Sequence, residues 1–184
     1  CDGWIVTGSP HGVYEDHPWI PTVSQLINDI YNANIPIFGV CFGHQLIAQA
    51  LGGRVEKSIK GWGLGLHTYE INNKADYMGN LTEEVTLNIC HQDQVLEVPE
   101  GATIYARSQF CENAGFYIKD KVLTMQAHPE FLVDFIKALL NARRDITIPK
   151  EFVDPALVKL NSYPDTVQSN QFAETIRKFF QVRF

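Results

Sequence analysis

Cys41 stands in the run Gly39-Val40-Cys41-Phe42-Gly43-His44-Gln45, after the apolar stretch Ile35–Val40 and before the helix-forming stretch Gly43–Leu51. Glycines two residues before and two after a nucleophile, at a switch from strand to helix, make a nucleophile elbow. The reason is steric: the turn is tight and strained, and only small neighbours let strand and helix approach. The turn predicts Cys41 at a helix N-terminus, where the positive end of the dipole favours thiolate over thiol. It leaves the Phe42 N–H available to an oxyanion. The chemistry implied is covalent attack on a carbonyl carbon.

A thiol nucleophile needs a proton acceptor held beside it and a third group to orient that acceptor. His128 follows the apolar run Val122–Ala127 and precedes Pro129-Glu130. Residues just past strand C-termini of an α/β sheet gather at the edge where the elbow sits. Glu130, two residues on, can fold back to accept a hydrogen bond from the imidazole. The alternative is that His-Pro-Glu only opens a helix, with proline in its first turn. His44 is the rival base, but a position inside the helix after the elbow predicts a ring packed beside the turn.

The elements that position these groups read as strand, helix, strand, helix over Gly3–Thr7, 19–34, 35–40 and 43–51, the first and third being buried strands. Gly52-Gly53 ends the second helix. This alternation belongs to a parallel α/β sheet. Strand-like pieces at 64–71, 85–89, 103–108, 116–118 and 122–126 follow, some of them antiparallel. Glu130–Arg144 is an amphipathic helix, and the tail predicts two more, Asp154–Leu160 and Thr166–Phe180. Phe172, Ile176, Phe179 and Phe180 share one stripe of the last helix and read as core packing.

The chain has 184 residues, 45% hydrophobic and 20% charged, which suits one domain with a core of its own. A net charge of −6 with scattered Lys and Arg offers no footprint for nucleic acid or an anionic membrane. No apolar run is long enough to span a bilayer. Cys1, Cys41, Cys90 and Cys111 lie far apart, without metal-type spacing, and predict a reducing, cytoplasmic setting. Gly61–Gly65 lacks the Gly-Lys-Ser/Thr of a phosphate loop and reads as a turn into a strand. Tyr14-Glu15-Asp16 reads as a solvated acidic loop, with a lining of the pocket or a partner surface as the alternative.

Taken together, GVCFGHQ and the following ALGG, then QAHPEF, resemble the class I, triad-type glutamine amidotransferases. TGSPHGVYED and CHQDQV are similar to the branch that includes the glutaminase domain of GMP synthase. The resemblance covers about Asp2 to Leu140. It implies an open, mostly parallel mixed sheet flanked by helices, with a helical C-terminal extension. It implies Cys41 as nucleophile, His128 as base and Glu130 as its orienter. The N–H groups of Ser9 and Phe42 would form the oxyanion hole, and Gln45 would help hold glutamine. The loop at His91 and Gln92 would border the substrate pocket, unless it is only a polar hairpin turn.

Gly8-Ser9-Pro10 stands where the family usually has Gly-Gly-Pro or Asn-Gly-Pro, so Ser9 adds a Cβ beside the oxyanion. The family also carries a further βα unit before Gly3, which this sequence lacks. The domain reads as 1–184, with a core over about 1–145 and the extension over about 150–184. The implied reaction is hydrolysis of the glutamine side-chain amide through a cysteinyl acyl-enzyme, with no metal or organic cofactor. The substrate is a small molecule, and a separate synthetase subunit would take the ammonia. The alternatives are a γ-glutamyl peptidase, and a regulatory domain that is non-catalytic or activated by a partner.

Overall fold

The computed structural model describes residues 1–162 and 168–182. In chain order the elements are β1 (Trp4–Val6), α1 (Trp19–Asn32), β2 (Ile37–Val40), α2 (Phe42–Ala50), β3 (Arg54–Lys57), β4 (Gly63–Ile71) and β5 (Glu84–His91). β6 (Asp93–Glu97), β7 (Thr103–Arg107), β8 (Gly115–Ile118), β9 (Val122–Met125), α3 (Val133–Arg143), α4 (Lys150–Ser162) and α5 (Ser169–Gln181) follow. The main sheet has seven strands in the order β1-β2-β9-β8-β7-β4-β5. Its parallel part is β1, β2 and β9, and the pairs from β9 to β5 are antiparallel. β3 and β6 form a separate antiparallel pair.

β2 and β9 are buried along their whole length, which is why they read as continuous apolar runs rather than alternating ones. β1 does not follow the expectation of a buried strand. It is the edge of the sheet, and Ile5 is 56% exposed. β3 and β6 were not visible in the sequence. Arg54–Lys57 is mostly charged, and its pairing with Asp93–Glu97 closes a register across distant segments.

Helices cover both faces. Ile20, Ile27 and Ile30 of α1 and Leu46, Ile47 and Ala48 of α2 pack with Ile37, Phe116 and Val122 of the sheet. Phe172 and Phe179 of α5 bury themselves with Phe38, Val40, Leu123 and Met125. Val153, Ala156 and Leu160 of α4 close on Leu64 and Leu66 of β4 together with Ile136 and Leu140 of α3. The tail helices thus lie on the sheet, and the stripe expected to be core packing is core packing. The first two residues of the expected helix Thr166–Phe180 lie outside the described residues. Among the described residues, no helix is long and apolar enough to cross a membrane.

Candidate active site

The elbow is set by contact. A Cβ added at Gly43 would lie 2.0 Å from the Val6 carbonyl oxygen, and one at Gly39 would lie 2.7 Å from the Gly43 carbonyl carbon. Any side chain at either position would drive α2 off β1 and β2. Cys41 takes φ 52° and ψ −106°, a left-handed conformation that residues other than glycine rarely adopt. Its N–H donates to the Met125 carbonyl at 2.9 Å, which ties the turn to the end of β9.

His128 lies three residues past β9. Its N–H donates to the Asn88 carbonyl at 2.8 Å, and the two residues form an isolated bridge to β5. Asn88 Nδ2 donates to the Phe131 carbonyl at 2.9 Å, and the Phe131 N–H donates to the His128 carbonyl at 3.2 Å. His128-Pro129-Glu130-Phe131 is therefore a turn with proline at its second position, where a fixed φ is favourable. α3 begins only at Val133, so the segment is not a helix start.

The turn brings Glu130 back to the ring: Nδ1 of His128 donates to Oε1 at 2.6 Å. With Nδ1 carrying the proton toward a carboxylate, Nε2 is left as the acceptor. Phe131 stacks on the imidazole with centroids 3.8 Å apart and planes within 6°. That contact and the carboxylate hold the ring in one orientation.

Gly8 is wedged between Cys41 and His128. A Cβ built there would come within 3.1 Å of His128 Cε1 and 3.9 Å of Cys41 Cβ. A cavity of about 300 Å³ opens on this spot, lined by Gly8, Ser9, Cys41, Cys90, His128 and Glu130. Its outer wall is Phe131, Phe135, Leu139 and Arg143. A second cavity of about 150 Å³ shares Ser9, Cys41, Cys90 and Arg143 with the first. It is lined further by Tyr14, Glu15, Gln45, Lys57, Trp62, His91, Gln92 and Asp93.

Burial pushes the Cys41 thiol up to about 12, with neighbouring Cys90 adding to the rise and a hydrogen bond from the Phe42 N–H pulling the other way. The helix N-terminus was expected to favour thiolate, and desolvation outweighs it. At neutral pH a thiol raised this far keeps its proton. The Phe42 N–H faces the Cys41 thiol, and the Phe42 ring packs on Trp19 at 5.5 Å.

Gln45 is buried, and its Nε2 donates to the Asp93 carbonyl at 2.9 Å and to Gln126 Oε1 at 3.1 Å. Its nitrogen braces the wall, which leaves its carbonyl oxygen for a ligand. His91 ends β5 and Asp93 begins β6, so this stretch is strand border more than free loop. His91 is lowered to about 3, chiefly by burial, and is neutral. Its Nδ1 pairs with the Asp93 carbonyl at 2.9 Å, and its Nε2 is buried without a partner among the described residues. His44 is no rival base. It is fully buried, bonds Thr124 Oγ1 at 2.9 Å and packs on Phe116.

Two lining groups, Cys90 and Arg143, escaped the sequence reading. Tyr14 and Glu15 are exposed, as a solvated loop should be, and they also line the second cavity; Tyr14 donates to Asp93 Oδ1 at 2.9 Å. Cys90 and Arg143 line both cavities. Burial pushes the Cys90 thiol up, while the Arg143 guanidinium beside it draws it down. One signal for Arg143 was available: Phe131, Phe135, Leu139 and Arg143 recur every four residues, and that stripe, from two residues before α3 to its last residue, is the cavity wall.

The class I glutamine amidotransferase family matches residues 1–136. The chain is 34% identical over 165 residues to γ-glutamyl peptidase 3 of Arabidopsis thaliana, across 84% of this chain and 65% of that protein. It is 36% identical over 129 residues to a glutamine-hydrolysing GMP synthase of Finegoldia magna, across 70% of this chain and 24% of the synthase. It thus spans less than two thirds of either relative. A glutamine amidotransferase crystal structure from Thermotoga maritima has the same fold, with TM-score 0.81 and 23% identity over 96% of this chain and 78% of that one. The chain belongs to the class I glutamine amidotransferase family.

Proposed function

We propose that the protein hydrolyses γ-glutamyl amide bonds through a thioester on Cys41, and that its preferred leaving group is larger than ammonia. The observation that carries this is the cavity of about 300 Å³ beside Cys41, with its wall of Phe131, Phe135, Leu139 and Arg143. Ammonia needs no such space and no apolar wall. An amino-acid or peptide amine with an apolar body and a carboxylate matches both the rings and the guanidinium.

The smaller cavity suits the γ-glutamyl half. Glu15 and Asp93 stand in it with Lys57, which is charge complementarity for a zwitterion. In the reaction, Sγ of Cys41 bonds to the γ-carbonyl carbon while its proton passes to His128 Nε2. The N–H groups of Phe42 and Ser9 take the oxyanion. The C–N bond breaks, and the imidazolium returns the proton to the departing amine. Water then attacks the thioester, His128 takes its proton, and glutamate leaves as the thiol reforms. Glu130 orients the imidazole and stabilises its charged form.

A second reading is glutamine hydrolysis, with ammonia handed to a separate synthetase chain. It draws on the match to glutamine-hydrolysing GMP synthase. The test is product release from glutamine and from γ-glutamyl peptides with apolar and polar leaving groups, using Cys41→Ala as the blank. Faster cleavage of peptides with an apolar, carboxylate-bearing leaving group supports the first reading. Turnover of glutamine alone would replace it with the second.

A further inference from the structure

His11, Glu15 and His17 lie on the loop between β1 and α1. His11 Nδ1, Glu15 Oε2 and His17 Nε2 all lie within 4.8 Å of one another. Oε2 is 3.0 Å from the His11 nitrogen and 2.9 Å from the His17 nitrogen. Around a zinc ion with bonds of about 2.0–2.1 Å, neighbouring ligands stand about 2.9 Å apart at right angles and about 3.3 Å at tetrahedral angles. Both carboxylate-to-imidazole separations fall at the right-angle spacing before any ion enters, and a tetrahedral shell needs each wider by about 0.3–0.4 Å.

The loop backbone prepares the arrangement. The Gly12 N–H donates to Glu15 Oε1 at 2.8 Å, which leaves Oε2 to face the two rings. The Glu15 N–H returns to the Gly12 carbonyl at 3.1 Å, the His17 N–H to the Glu15 carbonyl at 2.9 Å, and the Ile20 N–H to the His17 carbonyl at 3.0 Å. The two imidazoles sit edge to face with centroids 4.1 Å apart. All three side chains are partly exposed, so water can complete the shell.

We propose that His11, Glu15 and His17 form a site for a borderline divalent transition-metal ion such as Zn²⁺, and that its occupancy slows the neighbouring active site. Two imidazoles and one carboxylate suit zinc, nickel or copper and not calcium or magnesium, which need oxygen shells. The coupling follows from shared residues. His11 and Glu15 line the smaller cavity, and the His11 N–H donates to Ser9 Oγ at 3.2 Å, next to the oxyanion donor. An ion that engages Glu15 withdraws a carboxylate from the zwitterion's ammonium group and fixes the loop at the cavity mouth.

Because Cys41 and His128 can themselves bind zinc, the test starts from Cys41→Ala. Co²⁺ is titrated in and followed by its visible absorption, then displaced by Zn²⁺. One equivalent is expected, with affinity about 100-fold weaker in Cys41→Ala/His17→Ala and in Cys41→Ala/Glu15→Gln. Glu15→Gln keeps an acceptor for the Gly12 N–H, and melting curves show that both variants are folded. Absence of a Co²⁺ spectrum, or an affinity unchanged in both variants, overturns the site whatever amide the enzyme cleaves. With Cys41 present, Zn²⁺ is expected to slow turnover. His17 lines neither cavity, so His17→Ala should keep zinc-free turnover and lose the slowing. Equal inhibition of both proteins would place the zinc at Cys41 and overturn the coupling.

Discussion

Replacing Glu130 with Gln separates charge from geometry. The amide oxygen can still accept from His128 Nδ1, so the ring keeps its partner and loses only the negative charge. The 2.6 Å contact is charge-assisted once the ring is protonated, and hydrogen bonds to charged groups contribute about 1.5–3 kcal/mol. The Glu130 side chain is 49% exposed, so water screens the pair and the lower end, about 1.5–2 kcal/mol, applies. The imidazolium exists only after His128 has taken the thiol proton, so the loss falls on the transition state. At about 1.4 kcal/mol per factor of ten, kcat should fall about 10–30-fold with KM little changed. His128→Asn removes the acceptor itself and should cost about 100–10,000-fold. Steady-state release of glutamate from a γ-glutamyl peptide measures both, with thermal melts to verify folding. A Glu130→Gln loss as large as that of His128→Asn, or one confined to KM, would refute the orienting role.

Arg143→Gln should raise KM about tenfold for leaving groups that carry a carboxylate and spare those without one, the usual scale of one lost charge-assisted contact. An equal rise for every substrate would assign Arg143 to the glutamyl half instead. Since burial pushes the Cys41 thiol up to about 12, alkylation by iodoacetamide at pH 7 should be no faster than for an ordinary exposed thiol, and should climb steadily with pH above 9. A fast, pH-independent reaction near neutrality would mean a preformed thiolate. His44 and His91 are held neutral, each lowered to about 3 chiefly by burial. Their contribution to stability is complete above the unfolded value of about 6.5 and is lost as pH falls from there toward 3, because the unfolded chain takes up protons first. Urea midpoints should therefore fall between pH 7 and 4, with a shallower slope in His44→Gln. Parallel slopes would refute the assignment.

Of the site, what could be read in sequence was whatever is local to one segment. Gly39 and Gly43 announce the elbow because their constraint acts between residues four apart, and His128 and Glu130 because they share one turn. β2, β9 and the helix periods were legible for the same reason: burial along a single element writes itself into that element's pattern. The pairing of β3 with β6 was not legible, since charged residues at 54, 56 and 57 carry no strand signal and the partner lies some forty positions away. Nor was the exposure of β1, because an edge strand and a central one can share one apolar composition.

Other features arise only where segments meet. Cys90 from β5, Arg143 from α3 and the loop at Tyr14–Glu15 converge on Cys41, and no spacing in the chain records that. The state of the thiol was decided the same way. A helix N-terminus read in sequence argues for thiolate, but desolvation depends on what surrounds the sulfur, and the packed fold keeps the proton on. Sequence alone marked the candidate chemistry, because Cys41, His128 and Glu130 are each set off by their own neighbours. The tertiary structure decided what that chemistry meets, because the shape and charge of a cavity belong to several segments at once.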